Sequence, residues 1–98
     1  MNNFAPPSQT MAFKPAAGIV WAVEACGTLV IDEWGGRCLE LDYPRAAIWD
    51  WLTQGRTVEQ VAALTKHVAD GSEDAAWSIV HDAVSTWSAE GWIKPAEY

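Results

Sequence analysis

The sequence predicts an α+β domain built as a three-stranded antiparallel N-terminal meander followed by a three-helix bundle. Two observations lead there. Before position 42 three short strand-like runs are separated by turn residues, and two of them, Gly18 to Glu24 and Arg37 to Leu41, alternate with the period of a strand that has one buried face. Beyond it apolar residues recur at helical intervals, between start and stop signals that divide them into three segments. At 98 residues the chain is one domain, able to bury roughly two thirds of its unfolded surface without metal or disulfide support.

Met1 to Ala17 carries Pro6, Pro7 and Pro15 among Asn, Ser and Gln without a sustained period, so residues 1–17 are expected to form a flexible tail. Phe4, Met11 and Phe13 could dock that tail on the domain or on a neighbour. The domain proper is expected over 18–95, with 96–98 as a C-terminal tail. Ile19, Trp21 and Val23 alternate with Val20, Ala22 and Glu24, which sets the first strand at Gly18 to Glu24. Ala25-Cys26-Gly27 is the turn, Thr28 to Asp32 the second strand, Gly35-Gly36 the next turn and Arg37 to Leu41 the third strand. Two short turns put the second strand in the middle and make the third an edge.

Asp42 can cap the first free amides of a helix whose opening turn tolerates Pro44 and whose body carries Ala46, Ala47, Ile48, Trp49, Trp51 and Leu52. Gly55 ends it, because a residue without a Cβ takes a positive φ at little cost. Thr57-Val58-Glu59-Gln60 has capping-box spacing and opens a second helix with Val58, Val61, Ala62 and Leu64 at helical intervals. Ser72 caps a third, whose first turn carries Glu73 and Asp74 against the positive end of the helix dipole. There Ala76, Val80, Ala83, Val84 and Trp87 make one stripe, with Trp77 and Ile79 at its opposite margins. Gly91 ends this helix before the short apolar return Trp92-Ile93.

Thirteen acidic residues against six basic ones leave a net charge of −7, which opposes nucleic acid and anionic membrane and suits a neutral or basic partner. No apolar run approaches the ~20 residues a membrane helix needs, and no basic segment followed by an apolar one opens the chain, so a cytoplasmic protein is expected. Cys26 and Cys38 lie too far apart along the hairpins for a disulfide and read as reduced thiols. His67 and His81 lack metal-ligand spacing to either cysteine, and neither a phosphate-binding Gly loop nor a nucleophile motif occurs. No catalytic residue, cofactor or metal is expected.

Seven Trp residues are a heavy load, since each one buried removes on the order of 200 Å² from water. Trp49, Trp87 and Trp92 fall where the pattern requires core, and Trp34, beside Gly35-Gly36, is expected to be exposed. Trp21, Trp51 and Trp77 are open; an exposed pair among them would mark a partner patch or a surface for a weak homodimer. The edge strand carries a second open question. Its free amides and carbonyls can pair with another extended chain, unless Arg37 and Glu40 merely keep it soluble or the N-terminal tail covers it.

Four segments occur in an informative order: Gly36-Arg-Cys-Leu-Glu-Leu-Asp42, Ala46-Ala-Ile-Trp49, Gly55-Arg-Thr-Val-Glu-Gln-Val61 and Glu90-Gly-Trp-Ile93. Together they resemble the winged-helix-like domains of the PqqD family, the precursor-peptide recognition elements (RREs) of ribosomally synthesised, modified peptides (RiPPs), over about Gly18 to Pro95. Asp42 stands where the family usually has Asn, the helix before Gly55 is one residue longer than usual, and Gln54 replaces a common Asp. The resemblance implies a non-catalytic chaperone that holds the leader of a precursor peptide as an added strand and presents it to a modifying enzyme, such as a radical SAM enzyme, a cyclodehydratase or a peptidase. It implies a peptide-binding edge at Arg37, Cys38, Leu39, Glu40 and Leu41, facing the third helix. Which shoulder of that helix faces the edge stays open between Ile79, Asp82 and Thr86, which is preferred, and Trp77, His81 and Ser88. Acidic groups near the groove, Glu40 and Asp82 among them, would favour a leader with Lys or Arg. The alternative is a winged helix-turn-helix DNA-binding regulator; against it, no Lys or Arg lies between Lys66 and Lys94.

Overall fold

A computed structural model describes residues 11–68 and 72–96. The elements run β1 (Phe13–Pro15), β2 (Ile19–Glu24), β3 (Gly27–Asp32), β4 (Arg37–Leu41), α1 (Arg45–Thr53), α2 (Val58–Val68), α3 (Glu73–Ala89) and β5 (Ile93–Pro95). β2, β3 and β4 form the expected antiparallel meander with β3 central. Because cross-strand partners share a face, Trp21, Val30 and Leu39 lie on one side of the sheet, together with Thr28 and Leu41. Val30 is fully buried and Leu41 nearly so, which makes this the core face. Val20, Ala22, Cys38 and Glu40 are exposed on the other.

The helices supply the rest of the core from the residues that the periodicity singles out. α1 buries Ala46, Ile48, Trp49 and Leu52, and α3 buries the whole stripe Ala76, Val80, Ala83, Val84 and Trp87. Trp49 is the hub. Its ring meets Trp21 of β2 and Trp87 of α3, both edge to face, at centroid distances of 5.6 and 5.3 Å. Trp92 is buried and Trp34 is 78% exposed, while Trp21, Trp51 and Trp77 are each half-buried at the margin of the core. No fully exposed pair remains among those three.

Helix boundaries follow local chemistry. Thr57 and Gln60 close the capping box in both directions, the Gln60 amide donating to Thr57 Oγ1 at 3.2 Å and the Thr57 amide to Gln60 Oε1 at 3.0 Å. Ser72 Oγ accepts from the Ala75 amide at 3.0 Å, and Gly55 takes φ +96°. Asp42, by contrast, does not cap α1 through its side chain. The helix starts at Arg45 with Pro44 as its N-cap, and Asp42 contributes only its backbone carbonyl, to the Ala46 amide at 2.8 Å. Pro44 has no N–H to offer at the position an Asp42 cap would serve.

The boundary expected at Gly18 is also corrected. β1 pairs antiparallel with β5, aligning Lys14 with Lys94, and Ala12 and Phe13 are buried. Met11 accepts from the Val58 amide at 2.9 Å, and the ladder carries on through the Ala96 amide to Ala12 at 3.0 Å. Residues 11–17 are therefore part of the fold rather than tail. Phe13 covers apolar surface that the meander and helices leave open, and β5 gives its backbone a partner. Phe4 lies outside the described residues.

Candidate functional site

Strand pairing decides which backbone groups of β4 are free. The two-residue turn Ala25-Cys26 closes on Glu24 and Gly27, which must exchange both of their hydrogen bonds, so Gly27, Leu29 and Ile31 bond toward β2. Thr28, Val30 and Asp32 then bond toward β4, using the N–H and C=O of Leu41, Leu39 and Arg37. What remains are the amides and carbonyls of Cys38 and Glu40, which point away from β3. Among the described residues β4 has no strand partner other than β3. Within those residues the edge is unpaired, and it offers two donors and two acceptors.

α3 runs alongside this edge and is tied to it at one end by Arg37. The Arg37 guanidinium donates from Nε to Asp32 Oδ2 and from Nη1 to the Glu90 carbonyl, both at 2.9 Å, and lies 4.2 Å from the centroid of the Trp92 ring. Trp92 Nε1 in turn donates to Glu90 Oε1 at 3.2 Å. The other end is open. There Glu40, Leu41, Asp42, Tyr43, Pro44, Arg45 and Ile79 line a hollow of about 410 Å³.

The site residues expected from sequence fall as follows. Leu41 is buried, Leu39 half-buried, and Arg37, Cys38 and Glu40 are exposed along one edge. Ile79 joins Glu40 and Leu41 in the hollow, whereas Trp77 and His81 line a separate one with Ser78, Asp82 and Ser85. Asp82 is held in an ion pair by Arg45, which bridges α1 and α3. Thr86 and Ser88 are exposed on α3, and the Thr86 carbonyl accepts from the Glu90 amide. Tyr43 and Arg45 at the hollow, and Asp32, Glu90 and Trp92 around Arg37, were not expected from sequence. Asp32 and Arg37 flank a hairpin loop as an acid–base pair, and that pattern is the one signal that could have found any of them.

Asp32 anchors the hairpin. Its Oδ1 accepts from the Gly35 amide at 2.8 Å and the Trp34 amide at 3.1 Å, opposite the Arg37 contact on Oδ2. A Cβ at position 35 would stand 2.4 Å from Asp32 Oδ2, so any side chain there would push the carboxylate out of this position. These bonds, the Gly35 amide first and the Arg37 guanidinium next, hold the Asp32 carboxyl below the ordinary carboxylate range. A depressed carboxyl stabilises the fold fully above its unfolded value, and that contribution is lost as pH falls through the folded one. Asp32→Asn is therefore expected to lower the melting temperature at neutral pH, with the gap to wild type closing in strong acid. Thermal melts at both conditions check this, and parallel curves with a constant gap would refute it.

No group of three His, Cys, Asp or Glu able to hold a metal occurs among the described residues, and Cys26 and Cys38 are free exposed thiols. No helix among the described residues is long and apolar enough to cross a membrane. No family model matches the sequence, and no curated protein matches it. Two solved structures share the fold. One, described as a lasso peptide synthetase B1 complexed with the leader peptide, aligns with a TM-score of 0.76 at 20% identity, covering 85% of this chain and 98% of that one. The other, TbiB1 in complex with the TbiA(beta) leader peptide, aligns with a TM-score of 0.77 at 14% identity, covering 87% of this chain and 99% of that one.

Proposed function

We propose that this chain is a non-catalytic peptide carrier of the PqqD-like, RiPP-recognition type: it binds the leader of a ribosomally made precursor peptide as a strand added to β4 and presents it to a modifying enzyme. The observation that carries this reading is the free β4 edge, with the backbone groups of Cys38 and Glu40 available beside α3. Two proteins of the same fold that were solved holding leader peptides support it. The mechanism is backbone pairing, in which each hydrogen bond contributes about 1 kcal/mol net and tolerates many sequences. Selectivity comes from guest side chains entering the groove of Leu39, Leu41 and Ile79, with Asp82 and Thr86 further along the same helix. The receiving partner is a peptide-modifying enzyme, such as a radical SAM enzyme, a cyclodehydratase or a peptidase. Neighbouring reading frames identify the candidate precursor: a short frame beside a maturase gene.

The DNA-binding alternative is disfavoured by charge. α3, the helix that would enter a major groove, carries Glu73, Asp74 and Asp82 and no Lys or Arg.

Titration of the N-terminal half of the candidate precursor into the labelled domain, followed by amide shifts, tests the carrier reading. Shifts are expected at Cys38, Glu40 and along α3. Shifts confined to residues outside β4 and α3 would overturn the site.

A further inference from the structure

Strand parity fixes more than the hydrogen bonds. A guest bonded to Cys38 and Glu40 places the residues opposite those two on the outer face of the sheet. Its alternate residues, opposite Leu39 and Leu41, face α3. The guest residue opposite Glu40 therefore stands between two groove-facing neighbours whichever way the guest runs.

We infer that Glu40 selects a guest with Lys or Arg at this one outward position, in the pattern apolar–basic–apolar; the inference rests on the carrier reading above. Three observations single out Glu40. It is exposed on the edge strand and has no cationic partner among the described residues. Its cross-strand neighbour on β3 is Leu29, which offers the carboxylate nothing to pair with. The exposed Asp42 follows two residues on and adds a second negative charge at the same end of the edge.

Asp82 is the other acidic candidate, and it does not fill this role. Arg45 already pairs with it, and it lines the hollow of Trp77 and His81 rather than the one beside Glu40 and Leu41. The cations near the groove are likewise committed, Arg37 to Asp32 and the Glu90 carbonyl, and Arg45 to Asp82. This leaves the outward face beside Glu40 as the place where an uncompensated charge of the carrier meets the guest. Directly opposed charges on neighbouring strands attract and like charges repel, so the same carboxylate also rejects an acidic guest residue.

Selection of displayed random dodecapeptides against the wild-type domain, Glu40→Lys and Cys38→Pro tests this. Wild type is expected to enrich Lys or Arg flanked by apolar residues, Glu40→Lys to exchange that basic residue for Asp or Glu, and Cys38→Pro to enrich neither. In a synthetic wild-type-selected peptide, changing the basic residue to Gln should weaken binding about two- to fivefold, the range of an exposed ion pair. Enrichment of the apolar pair with a central residue indifferent to charge, unchanged by Glu40→Lys, would overturn the selection by Glu40 and leave the carrier reading standing. No enrichment on wild type, or enriched peptides that bind Cys38→Pro equally well, would overturn both.

Discussion

Glu40→Pro is expected to weaken peptide binding at least tenfold while the domain still folds, and Cys38→Pro with Glu40→Pro together to abolish it. The reason is which way two amides point. Proline at Glu40 removes a donor that β3 does not use and puts a ring where the guest backbone would lie, and an edge strand tolerates proline on its outward-facing amide. The lost hydrogen bond alone accounts for about 0.5–1.5 kcal/mol, and the ring adds steric exclusion. Glu40→Ala, which keeps the amide, should cost only the roughly two- to fivefold of the lost ion pair. Val23→Pro on the opposite edge of the meander makes the matching control, because the Val23 amide also points away from β3 and the residue is exposed. Isothermal titration of all four variants with one peptide checks the set. Equal loss in Glu40→Pro and Val23→Pro, or none in either, would refute pairing at β4.

The second large effect is on stability. Trp49→Ala is expected to cost about 3–5 kcal/mol, as large aromatic truncations in a packed core do. In a domain of this size that lowers the melting temperature by about 15–30 °C. Trp49 is fully buried and touches the sheet through Trp21 and α3 through Trp87, so its loss removes the wedge between the two walls of the groove. Trp49→Phe should cost much less. Its ring keeps part of the packing, and the Trp49 indole N–H that it removes has no hydrogen-bond partner among the described residues. Thermal unfolding followed by circular dichroism separates the two. A Trp49→Ala melt within a few degrees of wild type would show that the three-ring stack does not hold the layers together.

Local patterns made most of this architecture legible. Period-two alternation in β2 and β4, and the turn residues on either side of β3, placed all three strands within a residue of their observed limits. The α3 stripe emerged complete because a helix packed by one face repeats its apolar residues every three or four positions. What escaped were the short pieces. β1 and β5 are three residues each, too few to show any period, and each exists because the other supplies its partner. The Asp42 cap failed for a related reason: side-chain capping depends on which amides are free, and Pro44 shifted the start of α1. Glu40, Leu41 and Ile79, which line one hollow, were each named from sequence, yet the Arg37 clasp and the Arg45–Asp82 bridge join residues more than thirty positions apart.

The sequence by itself determined that an edge strand would precede three helices, because alternation, turns and caps are written within a few neighbouring residues. Only the tertiary structure decided what faces that edge: Ile79 in the hollow, Asp82 paired with Arg45, Glu40 without a cationic partner among the described residues. Charge pairing and burial are settled by which distant segments meet, and Trp49 sets that meeting by fixing the distance between sheet and helix.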